Sequence, residues 1–158
     1  MAPSSPSTTI PDETAQLHTL IGLLKQEQGF LVSADTDGLN GLMQQKSQSI
    51  AQMTQLAQLR HAALGVAGCE AGDAGMDAWL AKPGNAGAVS AWRQMLALAV
   101  QAKEFNRVNG MLIAKQMANN ELLIDAMRTP ATAPEAGGVY GPKGQTTPVL
   151  STRRVVVG

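Results

Sequence analysis

Residues 89–127 read VSAWRQMLALAVQAKEFNRVNGMLIAKQMANNELLIDAM. No proline interrupts them, and Trp92, Met95, Leu96, Ala99, Phe105, Val108, Leu112, Ile113, Leu122, Leu123 and Met127 recur at spacings of three and four. That spacing gathers apolar side chains on one side of a helix. At 1.5 Å of rise per residue such a helix spans roughly 58 Å, and its meaning depends on what lies beside it.

Upstream, Leu17, Leu20, Ile21, Leu24 and Leu31 carry the same spacing and predict a first helix over 12–32, with Asp12 and Glu13 in its first turn, where the positive helix end favours carboxylates. Ser33 to Gly38 then breaks the pattern with residue types that cap helices. Asp35 and Asp37 are therefore read as capping groups and not as a catalytic carboxylate pair. A second helix over about 36–64 follows, its buried side marked by Leu39, Leu42, Met43, Ile50, Met53, Leu56 and Leu59, with glutamines between them. Lys46 interrupts this stripe, either snorkelling past the seam or lying where a partner meets it. By the same rise these two helices span only ~30 Å and ~43 Å. The third helix outruns them, and its surplus apolar length is suited to a partner's helix.

Between 65 and 87 six glycines and Pro83 preclude a long helix. Met76, Trp79 and Leu80 can still form a short one whose apolar side plugs the end of the bundle, with Trp79 and Trp92 as core anchors. The expected fold is all-α: an antiparallel three-helix, coiled-coil-like bundle over 12–128 with one long C-terminal helix. A Pro/Ser/Thr-rich leader at 1–11 and a Gly/Pro-rich tail at 129–158 are expected to be disordered.

Composition narrows the function. In 158 residues, 12 basic side chains balance 12 acidic ones, so no net field gathers nucleic acid or anionic lipid. The two Phe, two Trp and one Tyr are too few for base-stacking platforms. No apolar run reaches the ~20 residues that cross a bilayer, and the N-terminus lacks the basic and apolar regions of a secretory signal. A cytoplasmic protein is expected. Cys69 is the single cysteine, which excludes an internal disulfide and a thiolate-cluster zinc site.

Chemistry-bearing groups are sparse. His18 and His61 have no second ligand at helical spacing, Cys69 has no basic neighbour in sequence, and the glycine-rich stretch holds no Gly-Lys-Ser/Thr element. No catalytic residue, metal or cofactor is expected. The Asn106–Ile113 segment, NRVNGMLI, is the most distinctive. Gly within a helix costs about 1 kcal/mol relative to Ala. Either Gly110 admits another helix of the same molecule, with Asn106 and Asn109 making polar contacts across the seam, or this face receives another protein's helix. In the tail, Tyr140 is an aromatic with no core to join and is suited to docking.

Leu20 to Leu24 with Glu27, then Leu31, Asp35, Leu39 and Lys46, the NxxNGxLI run at 106–113, and the YGPKGQT run at 140–146 together resemble the flagellar export chaperones of the FlgN type. The likeness covers most of the chain and leaves the 65–87 insert unaligned. It implies a cytoplasmic, non-enzymatic chaperone that covers the C-terminal helices of hook-filament junction proteins and delivers them to the membrane export gate. The client surface is then expected at Asn109, Gly110, Leu112, Ile113, Leu122, Leu123 and Met127. The resemblance assigns export-gate docking to Tyr140, with Gly141 and Gly144 as backbone-permissive neighbours. A homodimer of the empty chaperone is compatible with this reading. The main alternative is a self-associating structural coiled-coil protein without a client; a small helical enzyme would need an acid/base cluster that the sequence does not offer.

Overall fold

A computed structural model of the protein describes residues 5–128. Their regular elements are all helical: α1 (Ile10–Ser33), α2 (Thr36–Val66), the short α3 (Asp73–Leu80) and α4 (Val89–Arg128), the last entered through a 3-10 turn at Ala86–Ala88. The three long helices of the sequence reading are present. Residues 1–4 and the tail 129–158, with Tyr140, Gly141 and Gly144, lie outside the described residues.

Helix α1 begins at Ile10, ahead of the boundary placed at Asp12. Proline in the first turn costs no hydrogen bond, because an N–H there has no intrahelical acceptor. Thr9 Oγ1 donates to Glu13 Oε1 at 2.8 Å, and Ile10 is buried in the core. The Pro/Ser/Thr content that reads as a leader therefore serves, over residues 5–11, as a turn and a helix start.

At the other end of α1, Ala34 takes the left-handed conformation (φ 57°, ψ 35°), and the N–H of Asp35 donates to Phe30 O at 2.8 Å. Asp35 then caps α2, its Oδ1 accepting from the Gly38 N–H at 2.9 Å. Two residues thus reverse the chain. Lys46 meets Glu27 and Arg60 meets Glu13, so α2 runs back antiparallel along α1.

The glycine-rich insert is built around α3, which supplies Met76, Trp79 and Leu80 to the core, as the spacing predicts. Lys82 Nζ donates to Ala67 O and Asn85 Nδ2 to Trp79 O, each at 2.8 Å, tying the insert down at both ends. Trp92 Nε1 reaches Asp77 Oδ1 at 3.3 Å and links α3 to α4. Gly75 permits this compactness: a Cβ there would run into the carbonyl of Glu70. Since backbone cannot yield as a flexible side chain can, Gly75→Ala is expected to destabilise the fold by roughly 2–3 kcal/mol, read as a lowered midpoint in urea unfolding.

The start of α4 lies beside the end of α2, with the Arg60 guanidinium over the Trp92 ring at 4.8 Å. Seventeen residues on, Asn109 reaches Leu24 and Glu27 of α1. Helix α4 therefore runs parallel to α1 and antiparallel to α2. The core between them is aliphatic apart from the tryptophans, with Leu17, Ile21 and Leu24 facing Leu64, Trp92 and Met95.

The chain divides into two compact units, one ending at Ile113 and one beginning at Ala114. The packing above belongs to the first. Of the second, Ala114–Arg128 is described: it is α-helical, and none of its side chains is buried.

Candidate protein-binding surface

Two polar clusters, one buried and one partly buried, organise the first unit. In one, the Glu13 carboxylate accepts from Thr9 Oγ1, from Arg60 Nε at 3.0 Å and from Arg60 Nη2 at 3.1 Å, and the guanidinium stacks on Trp92. Arg60 Nη1 is buried with no acceptor among the described residues, which leaves the ring face beneath the guanidinium as its compensation. Arg60 was not singled out by sequence, although its place four residues beyond Leu56 and four before Leu64 is a core spacing.

The second cluster is formed by Glu27, Lys46 and Asn109. Lys46 Nζ lies 2.8 and 2.9 Å from the two Glu27 carboxylate oxygens, and Asn109 Nδ2 donates to Glu27 Oε2 at 2.7 Å and to Leu24 O at 2.8 Å. Lys46 thus enters the seam to neutralise a carboxylate. Asn109 is only 1% exposed. This corrects its assignment to the client surface: its Nδ2 protons are spent inside the bundle, as the intramolecular reading of the segment requires, and its Oδ1 is buried with no donor among the described residues.

Gly110 goes the other way. It is exposed, and a Cβ built on it meets nothing within 4 Å. Close approach of another helix of the same molecule is therefore not its purpose. Since the position is mid-helix and open, Gly110→Ala is expected to raise the unfolding free energy by about 1 kcal/mol, measured by urea denaturation. Leu112 is half-buried and Ile113 is 41% exposed. On the same stretch of α4, Arg107 donates to Glu104 at 2.7 and 2.8 Å, and that hydrogen bond holds the Glu104 carboxyl below its usual range.

In the second unit the remaining expected residues are open: Leu122 is 69% exposed, Leu123 63% and Met127 79%. Met117 and Ile124, which the sequence reading did not select, are exposed beside them in sequence. Their signal was present, since Ile113, Met117, Ile124 and Met127 keep helical spacing.

Among the described residues no three His, Cys, Asp or Glu side chains come together as a metal site. His18 is exposed, and His61 and Cys69 are half-buried. No helix among these residues is long and apolar enough to cross a membrane.

A helical bundle whose buried charges neutralise one another, and which leaves large apolar side chains uncovered on one helix, has the makings of a protein-binding module. The family model described as FlgN protein matches residues 1–148, and the chain belongs to that family, which consists of chaperones of flagellar assembly and export. The matched span takes in the 65–87 insert and the YGPKGQT run. No curated protein and no solved structure matches the chain.

Proposed function

We propose that this chaperone works in the cytoplasm without catalysis, binding the C-terminal helices of hook-filament junction proteins and presenting them to the export gate. The observation that carries the reading is the exposure of Leu122, Leu123 and Met127 on α4. Fully burying a side chain of this kind yields ~1.5–3 kcal/mol, so a few of them supply a useful driving force with no reacting group. Leu112 and Ile113 are assigned to the same role in the first unit, and Gly110 offers a partner's backbone a place without a side chain. The tail residues Tyr140, Gly141 and Gly144 are assigned to gate docking on the resemblance of their motif.

Calorimetric titration of the full chain with C-terminal helical segments of hook-filament junction proteins tests the proposal. Saturable one-to-one binding is expected, and no binding to any of them overturns it. Tyr140→Ala is expected to leave that titration unchanged while lowering the amount of client secreted. Loss of client binding in this variant would mean that the two sites are one.

A further inference from the structure

Helices α2 and α4 meet where Arg60 covers Trp92, but farther along the first unit a groove opens between them. Leu20 and Leu24 of α1 floor a cavity there of about 210 Å³, walled by Lys46 and Ile50 of α2 and by Ala102, Lys103 and Asn106 of α4. Ile50 is 46% exposed on its wall. An apolar cavity of roughly 150 Å³ holds a benzene ring, so this one has room for a large aliphatic or aromatic side chain. The same side of α4 accounts for the glycine of the NRVNGMLI segment. Gly110 stands seven residues beyond Lys103 and four beyond Asn106 and so shares their face, and a Cβ there meets nothing within 4 Å. Glycine in mid-helix, with no close neighbour in its own molecule, suits the approach of a partner's backbone.

Charge narrows the occupant. Lys46 is met by Glu27 and Arg107 by Glu104, whereas Lys103 has no anion among the described residues. The groove is thus apolar at its floor and carries one uncompensated cation on its rim. An extended segment would lay unpaired backbone groups against Leu20 and Ile50, while a helix satisfies its own. The chain's residues beyond 128 are a poor match in charge, with Lys143, Arg153 and Arg154 against Glu135. We infer that the groove between α2 and α4 receives the client's helix, which seats a large apolar side chain over Leu20 and Leu24 and sets a carboxylate, one turn away, against Lys103. Gly110 lets that helix come close where the groove continues along α4. The inference rests on the client-binding reading above.

The test compares Ile50→Lys, Lys103→Glu and Gly110→Leu in the full chain, titrated with the junction-protein helical segments. All three positions are exposed and helical, so each variant is expected to keep the far-UV circular dichroism of the wild type. Lys103→Glu is expected to weaken binding about 10- to 100-fold, because it sets two carboxylates against each other. Replacing one acidic residue of the segment by Lys should restore it, which a merely structural role of Lys103 would not allow. Gly110→Leu is expected to weaken binding by roughly tenfold or more through the side chain it places in the partner's path, and Ile50→Lys to abolish it. Unchanged binding by any of the three overturns the inference and leaves the chaperone reading standing. So does a loss in Lys103→Glu that no acidic-to-Lys change in the segment restores. A dimer by light scattering that Ile50→Lys dissociates, with segment binding unaltered, gives the groove to a second copy and overturns the inference alone. Absence of binding by the wild type overturns both.

Discussion

Arg60→Met is expected to lower the unfolding free energy by ~3–5 kcal/mol, because it leaves the Glu13 carboxylate buried without its cation. Among the described residues only the Thr9 hydroxyl then remains as a side-chain donor to that charge, and the Trp92 ring loses the guanidinium stacked on it. For a domain stabilised by 5–15 kcal/mol this is a large fraction. Pairing the change with Glu13→Gln separates lost packing from uncompensated charge. If the unpaired carboxylate is responsible, the double variant recovers much of the stability in urea unfolding, since an amide is far easier to bury than a carboxylate. Equal loss in the single and double variants would assign the effect to the contact with Trp92.

The second large effect concerns binding. Leu123→Asp together with Met127→Asp is expected to abolish detectable client binding in calorimetry while leaving the unfolding midpoint within experimental scatter. Neither side chain is buried, so neither substitution creates a cavity or strands a charge inside the fold. On a client interface, however, each inserts a carboxylate into apolar contact, and desolvating one unpaired charge removes more than a side chain's burial supplies. Unchanged affinity in this variant would remove the C-terminal part of α4 from the client surface.

Much of this architecture could be read from apolar periodicity. The three long helices, the cap at Asp35 and the plug of Met76, Trp79 and Leu80 all follow from side chains whose burial depends on local spacing. Periodicity fails where burial depends on polar pairing. Arg60 and Glu13 lie 47 positions apart, and nothing at either site announces the other until the α1–α2 turn fixes the register. Lys46 could be seen as an interruption, yet only the placement of Glu27 decides that it points into the seam. The NRVNGMLI segment held both answers at once: Asn109 faces inward and Gly110 outward, because adjacent helical positions lie about 100° apart. The start of α1 at Ile10 escapes periodicity because proline and threonine are common to leaders and to helix beginnings alike.

The Glu27, Lys46 and Asn109 cluster also bears on how the molecule assembles. Helices α1 and α2 join through a two-residue reversal, so their pairing is local and closes at little entropic cost. Asn109 finds Leu24 across 85 positions, and that contact forms only after α4 has come back along the hairpin. An aliphatic seam alone would tolerate α4 sliding by a heptad, exchanging one apolar layer for the next. Such a slip would set Ala102 against Glu27, and a methyl group has no proton to give its carboxylate. The cluster thus acts against that slip during folding, favouring the axial alignment in which Asn109 meets Glu27.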